Sequence, residues 1–218
     1  MPEARLIAAI SAALRMHEIG TKSPYQLYFA AKGKSGGSFG FMQGDLAAGQ
    51  DIVTKTFRQI LADADASKAD IQRYLDKLSV HLIGNPLSSA DTKFVNNALK
   101  TGSAKVDAMD QAIAADVYSD LDKCIEAAAK AHRKISAKAL LYAALWINMS
   151  GHPSKLLTWL KGDDPHLQHP LPKPPQLVGG SDMRGYLMAT DYYTSNPGNA
   201  AHLDQSVQAG ALLLPADT

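Results

Sequence analysis

A mainly α-helical chain with one small β-hairpin near residues 35–42 is the fold class that three observations predict. Apolar residues recur at three- and four-residue spacing along most of the chain. Strand signals are confined to Ser35–Met42, where Phe39 and Phe41 alternate with small residues. Six of the eleven prolines fall between Pro153 and Pro175, which rules out helix through much of that stretch. A chain of 218 residues can bury one substantial core, or two small ones joined tightly. No repeat or convincing boundary divides it, so a single domain over residues 1–218 is expected.

The elements follow in order. Leu6, Ile7, Ile10 and Leu14 stripe a first helix that ends near Gly20. From about Leu46 to Ala62, a second carries Ile52, Val53, Phe57, Ile60 and Leu61. Ser67 suits the N-cap of a third, with Ile71, Tyr74, Leu75 and Leu78 inward and Gly84-Asn85-Pro86 as its stop. Ser89 can cap a short helix carrying Phe94, Val95 and Leu99. Met109, Ile113, Val117, Leu121 and Ile125, four apart, predict the clearest helix. Ser136 then caps a helix from Ala137 to about Asn148, apolar on every face and therefore central. The proline-rich stretch Asp163 to Gly180 reads as an irregular loop. Ser181 restarts a helix through Tyr193, and Asn199 is placed to cap a last one.

Twenty-two Lys and Arg against twenty-one Asp and Glu leave a formal charge of +1, so no general electrostatic case exists for nucleic acid or a membrane surface. No apolar run reaches the roughly 18 residues of a membrane span. Met1-Pro2-Glu3-Ala4-Arg5-Leu6 lacks the pattern of a secretory signal. The single Cys124 excludes an internal disulfide framework and reads as a buried thiol. Cys124 and His132 stand too far apart on one helix to act as nucleophile and base. His166 and His169 lack a clear third ligand, and Asp163-Asp164 lacks the spacing of a calcium loop, so neither metal nor cofactor is expected.

The chemistry concentrates in Glu18 and the run Ser35-Gly36-Gly37-Ser38-Phe39-Gly40-Phe41-Met42-Gln43-Gly44-Asp45. Glycosidic cleavage needs a carboxyl kept protonated near neutral pH by partial desolvation. Glu18, flanked by Met16 and Ile19 at the end of an apolar helix, meets that need in outline. Its neighbour His17 points elsewhere on the helix and reads as a surface histidine. Gly36, Gly37 and Gly40 permit tight turns and close approach to a flat ligand. Gln43 can donate to and accept from sugar hydroxyls or an acetamido group. A structural hairpin with packed phenylalanines also accounts for the glycines and aromatics.

Helix Leu6–Glu18 followed by this run resembles the catalytic helix and hairpin of goose-type lysozymes and soluble lytic transglycosylases. Gly40-Phe41-Met42-Gln43 is similar to their Gly-hydrophobic-Met-Gln element, and Asp45 stands where goose-type lysozymes carry an aspartate. Ala144-Leu145-Trp146-Ile147-Asn148-Met149-Ser150-Gly151, then Trp159-Leu160, resembles the transglycosylase Ala-Tyr-Asn-Ala-Gly helix end and its downstream Trp-Leu. Met183-Arg184-Gly185-Tyr186-Leu187, running to Tyr192-Tyr193, is similar to the Thr-Arg-x-Tyr-Val helix. The blocks stand in family order between about residues 6 and 193. Chitosanases of the same superfamily share the order of acid and glycines, but their second acid precedes the glycines, and no carboxylate lies between Glu18 and Asp45 here.

The resemblance implies a lysozyme-like domain that cleaves the β-1,4 bond between N-acetylmuramic acid and N-acetylglucosamine in peptidoglycan or a related amino-sugar polymer. Glu18 would be general acid and then base. Asp45, if it positions water, favours hydrolysis slightly over attack by the muramyl 6-hydroxyl. Ser35, Gly36, Gly37, Phe39, Gln43, Asn148, Tyr192 and Tyr193 would line the substrate site, with one of the two tyrosines given to the core. Such a protein would be made in the cytoplasm and delivered to the periplasm or cell wall by another route, with an immunity or delivery protein as a further partner. The alternatives are a non-catalytic lysozyme-like module that binds glycan or protein, and a chitosanase-like glycosidase.

Overall fold

The computed structural model describes residues 3–29, 35–81 and 83–215. Met1 and Pro2, part of the stretch read for a secretory signal, lie outside them. The chain is mainly helical, as expected. In order, the elements are α1 (Glu3–Ile19), β1 (Tyr28–Phe29), β2 (Gly37–Phe39), β3 (Gly44–Asp45), α2 (Asp51–Asp63), α3 (Lys68–Leu78), α4 (Ser89–Thr101) and α5 (Ser103–Lys130). Then come β4 (Lys134–Ile135), α6 (Ala137–Ser150), α7 (Ser154–Lys161), β5 (Leu177–Val178), α8 (Gly180–Met188), α9 (Asp191–Ser195) and α10 (Ala200–Ala211).

Two compact units form. Met1–Gly20 with Ala115–Thr218 makes a terminal unit, and Thr21–Ala114 an inserted one. In the terminal unit α6 is the central helix, packed by α1, α8 and α10. It is buried almost end to end because its sequence, ALLYAAL, has no polar face. The α1–α10 approach is close because Gly210 lies against Ala9 and Ala13, where an added Cβ would strike the Ala9 carbonyl. Arg184 of α8 forks onto Asp204 of α10 through Nε and Nη2 at 2.8 Å each, and Tyr142 of α6 donates to the same carboxylate at 2.9 Å. The Arg184 hydrogen bonds hold the Asp204 carboxyl below its ordinary range.

The inserted unit packs α2, α3 and α4 with a three-stranded antiparallel sheet of order β1-β2-β3. Tyr28 pairs with Ser38, and Ser38 with Asp45. Phe39, Phe57, Leu61, Leu75, Leu78 and Leu99 centre its core. The β2–β3 turn is the expected hairpin; β1 extends it into a sheet.

Ser67 and Ser136 cap as read, each accepting the backbone N–H three residues on. Other details differ, for local reasons. Ser88, one residue before the expected Ser89, caps α4. The expected helix from Leu46 opens instead as a 3-10 turn, Leu46–Ala48, ended by Gly49 in the left-handed region (φ 70). α3 stops at Leu78 rather than near Gly84, and its last carbonyl packs on Gly36. The expected helix from Ser181 to Tyr193 is broken at Ala189-Thr190. Ile125 is 41% exposed, because steps of four residues outrun the 3.6-residue turn. The buried stripe of α5 runs instead through Val106, Met109, Asp110, Ala114, Val117, Leu121 and Cys124. Strands are not confined to the hairpin either: β4 and β5 pair in parallel, so the proline-rich loop ends in a strand. No helix among the described residues is long and apolar enough to cross a membrane.

Candidate functional site

Glu18 lies in the last turn of α1, and Asn148 lies two residues before the end of α6. Contact between these helices brings their side chains together: Asn148 Nδ2 donates to Glu18 Oε1 at 2.7 Å. Glu18 is part-buried, and desolvation raises its carboxyl above the ordinary range. The Asn148 hydrogen bond and the nearby His202 oppose that rise without cancelling it. The result is a shielded carboxyl, fixed in orientation, with its proton affinity increased.

His17 does not behave as a surface histidine. Its ring stacks on His202 of α10, centroids 4.8 Å apart, and its Nδ1 lies 3.4 Å from Ser206 Oγ. His202 Nε2 in turn binds the His17 carbonyl at 2.8 Å. Burial, then repulsion from His202, lowers the His17 pKa from 6.5 to about 4. The fold therefore holds this ring neutral, whereas the unfolded chain protonates it below its ordinary pKa. Stability is full above pH 6.5 and falls as the pH drops toward 4. We expect a loss of about 1–2 kcal/mol, less than full linkage because the ring is part-exposed. Urea unfolding at pH 7 and pH 4.5 checks this: His17→Gln should lose clearly less stability than the parent, and equal losses would refute it.

The hairpin residues belong to the inserted unit, and their polar groups are turned inward. Asp45 caps the 3-10 turn: its Oδ1 accepts from Ala47 N at 2.8 Å and Gly36 N at 2.9 Å. Gln43, at φ 52, donates from Nε2 to Gly40 O at 3.0 Å and accepts from Ser38 Oγ at 3.2 Å. Gly36 and Gly37 are buried against Leu78 of α3, and a Cβ on Gly37 would lie 2.8 Å from a Leu78 methyl. The space expected for a flat ligand at these two glycines is thus filled by the helix. Phe39 is fully buried against Phe57, and Ser35 is part-buried at the edge of the hairpin.

Asp110 escaped the sequence reading. This fully buried carboxylate on α5 accepts from Phe41 N at 2.8 Å and Met42 N at 3.0 Å, so it ties the hairpin turn to the helix. Its signal was present: an aspartate on the inner face of an apolar stripe, four residues from both Val106 and Ala114. The two tyrosines differ in exposure, and Tyr193 is the one given to the core. Tyr193 is 3% exposed, with its hydroxyl 3.7 Å from Met149 Sδ, and Tyr192 is 40% exposed. Asn199 stands at the N-cap of α10, but its amide is given to Tyr192 Oη at 2.8 Å. Tyr186 is fully buried 5.0 Å from Trp159 and belongs to the core. Burial pushes the Cys124 thiol up to about 12, so it is no nucleophile near neutral pH. Among the described residues, no group of three His, Cys, Asp or Glu could hold a metal ion.

Comparison with protein-family models, with curated proteins and with solved structures finds no match for this chain.

Proposed function

We propose that this protein is a lysozyme-like glycosidase that cleaves peptidoglycan or a related amino-sugar polymer, with Glu18 as its acid. The observation that carries this reading is the Asn148–Glu18 hydrogen bond at 2.7 Å, on a carboxyl whose proton affinity is raised by burial. A general acid must hold its proton until the leaving oxygen takes it, and partial desolvation supplies that property. The amide fixes one carboxyl oxygen and so directs the other. Glu18 would first protonate the glycosidic oxygen. As carboxylate, it would then take the proton of the attacking group, either water or the muramyl 6-hydroxyl. Asp45, the ground for favouring water, spends one oxygen on the cap of the 3-10 turn, which weakens that preference.

A glycan-binding module without turnover is the second reading. It is favoured by the bonding of Asp45, whose Oδ1 is held by two backbone amides of the 3-10 cap and the hairpin rather than left for a second catalytic role. Mass spectrometry of soluble products from purified peptidoglycan, with Glu18→Gln in parallel, separates the two. Muropeptides released only by the parent support the glycosidase. Reducing ends would mean hydrolysis, and products lighter by one water would mean transglycosylation. No release above that of the variant would leave the binding module.

A further inference from the structure

Trp146 and Asn148 stand two positions apart on α6, so their side chains leave the helix on opposite sides. The Trp146 side is therefore not the side that meets Glu18. On it lies a pocket of about 250 Å³ whose lining includes Trp146, Ser150, Lys155, Leu167, Asp191 and Tyr192. Both aromatic rings are backed by the buried Tyr193. Trp146 lies 6.4 Å from it, and Tyr192 meets it edge-on at 5.0 Å. Lys155 and Asp191, 3.8 Å apart and each about half exposed, put a donor and an acceptor beside the rings. Leu167 comes from the proline-rich loop, which Thr194 Oγ1 anchors by donating to Gln168 Oε1 at 2.8 Å.

Pre-positioned aromatic surface with a few convergent polar groups is the usual make-up of a small-molecule site. The volume falls below the roughly 300–1,000 Å³ of sites that enclose drug-sized ligands, so one ring fits better than a chain. A pyranose offers an apolar C–H face to an aromatic ring and hydroxyls around its edge to mixed donors and acceptors. We infer that this pocket binds one pyranose residue of an amino-sugar glycan, at a position separate from the Glu18 carboxyl. The inference rests on the glycosidase reading only in naming the glycan. The pocket would grip a chain without reacting with it, and the proline-rich loop would help set which sugar is held.

Intrinsic fluorescence tests this directly, since Trp146 and Trp159 are the only tryptophans and Trp159 is buried. The probe is the N-acetylglucosamine trimer, titrated into the parent, Glu18→Gln, Tyr192→Ala and Ser150→Arg. Parent and Glu18→Gln should show the same saturable change. Tyr192→Ala, which removes a platform ring, and Ser150→Arg, which blocks the pocket by bulk and leaves both rings in place, should each weaken it at least tenfold. A flat titration in both parent and Glu18→Gln overturns the inference, as does an unchanged midpoint in both pocket variants. Pocket binding by a parent that releases no muropeptides would remove the glycosidase reading and leave this one standing.

Discussion

Glu18→Gln is expected to lower peptidoglycan cleavage by about 10²–10⁴-fold, the usual contribution of a positioned general acid. Gln keeps the shape and can accept the Asn148 hydrogen bond, so a lost fold would not explain lost turnover. Stability should move the other way. The pKa of Glu18 is raised in the fold, so its favourable contribution is present below its ordinary pKa and is lost as pH rises through the folded value. A neutral Gln escapes that penalty, and the variant should be as stable as the parent or more stable at pH 7.

Asn148→Leu adds a signature that a purely structural contact would not give. The amide favours the ionised carboxyl, so its removal should raise the Glu18 pKa further. On the proposed reading, in which Glu18 acts as the protonated acid, activity is expected to fall as pH rises through that pKa. The alkaline limb of the pH–rate profile should therefore move to higher pH in Asn148→Leu. A limb that stays in place would remove Glu18 as the titrating acid. Coincident losses of stability and cleavage in Glu18→Gln would count against it as well.

The helices were legible because their signals are local. Ser67 and Ser136 sit three residues before the N–H groups they cap, and the apolar faces of α1 and α3 repeat within single turns. Two-residue strands leave no alternation to read, so β1, β4 and β5 went unseen. The glycines at 36 and 37 illustrate a second limit. Sequence shows that a side chain is missing but not what occupies its place, which here is Leu78, some forty residues on. The site shows the same division. Glu18 and Asn148 could each be singled out, yet the bond between them spans 130 positions and exists only through the α1–α6 contact. His17 was misjudged because the His202 ring that covers it lies on the last helix.

Asp110→Ala is expected to cost the inserted unit about 3 kcal/mol, because it strands the buried Phe41 amide and the part-buried Met42 amide that donate to the carboxylate. Gly40→Ala should cost about as much, for two reasons that can be separated. Gly40 has φ 82, where a Cβ is strained by about 1–2 kcal/mol. That Cβ would also run into the Asp110 carboxylate itself. Removing the carboxylate removes the collision but not the strain. Gly40→Ala should therefore cost only about 1 kcal/mol when made on top of Asp110→Ala, a coupling of the size shared contacts produce. Native-state hydrogen exchange at the Phe41 and Met42 amides reads each step on the turn itself. Simple additivity would mean that turn and helix do not meet through this carboxylate. Coupling would show that the glycine is required less for its freedom than for the buried acid beneath it, and that this acid holds the turn between Phe39 and Gly44 in shape.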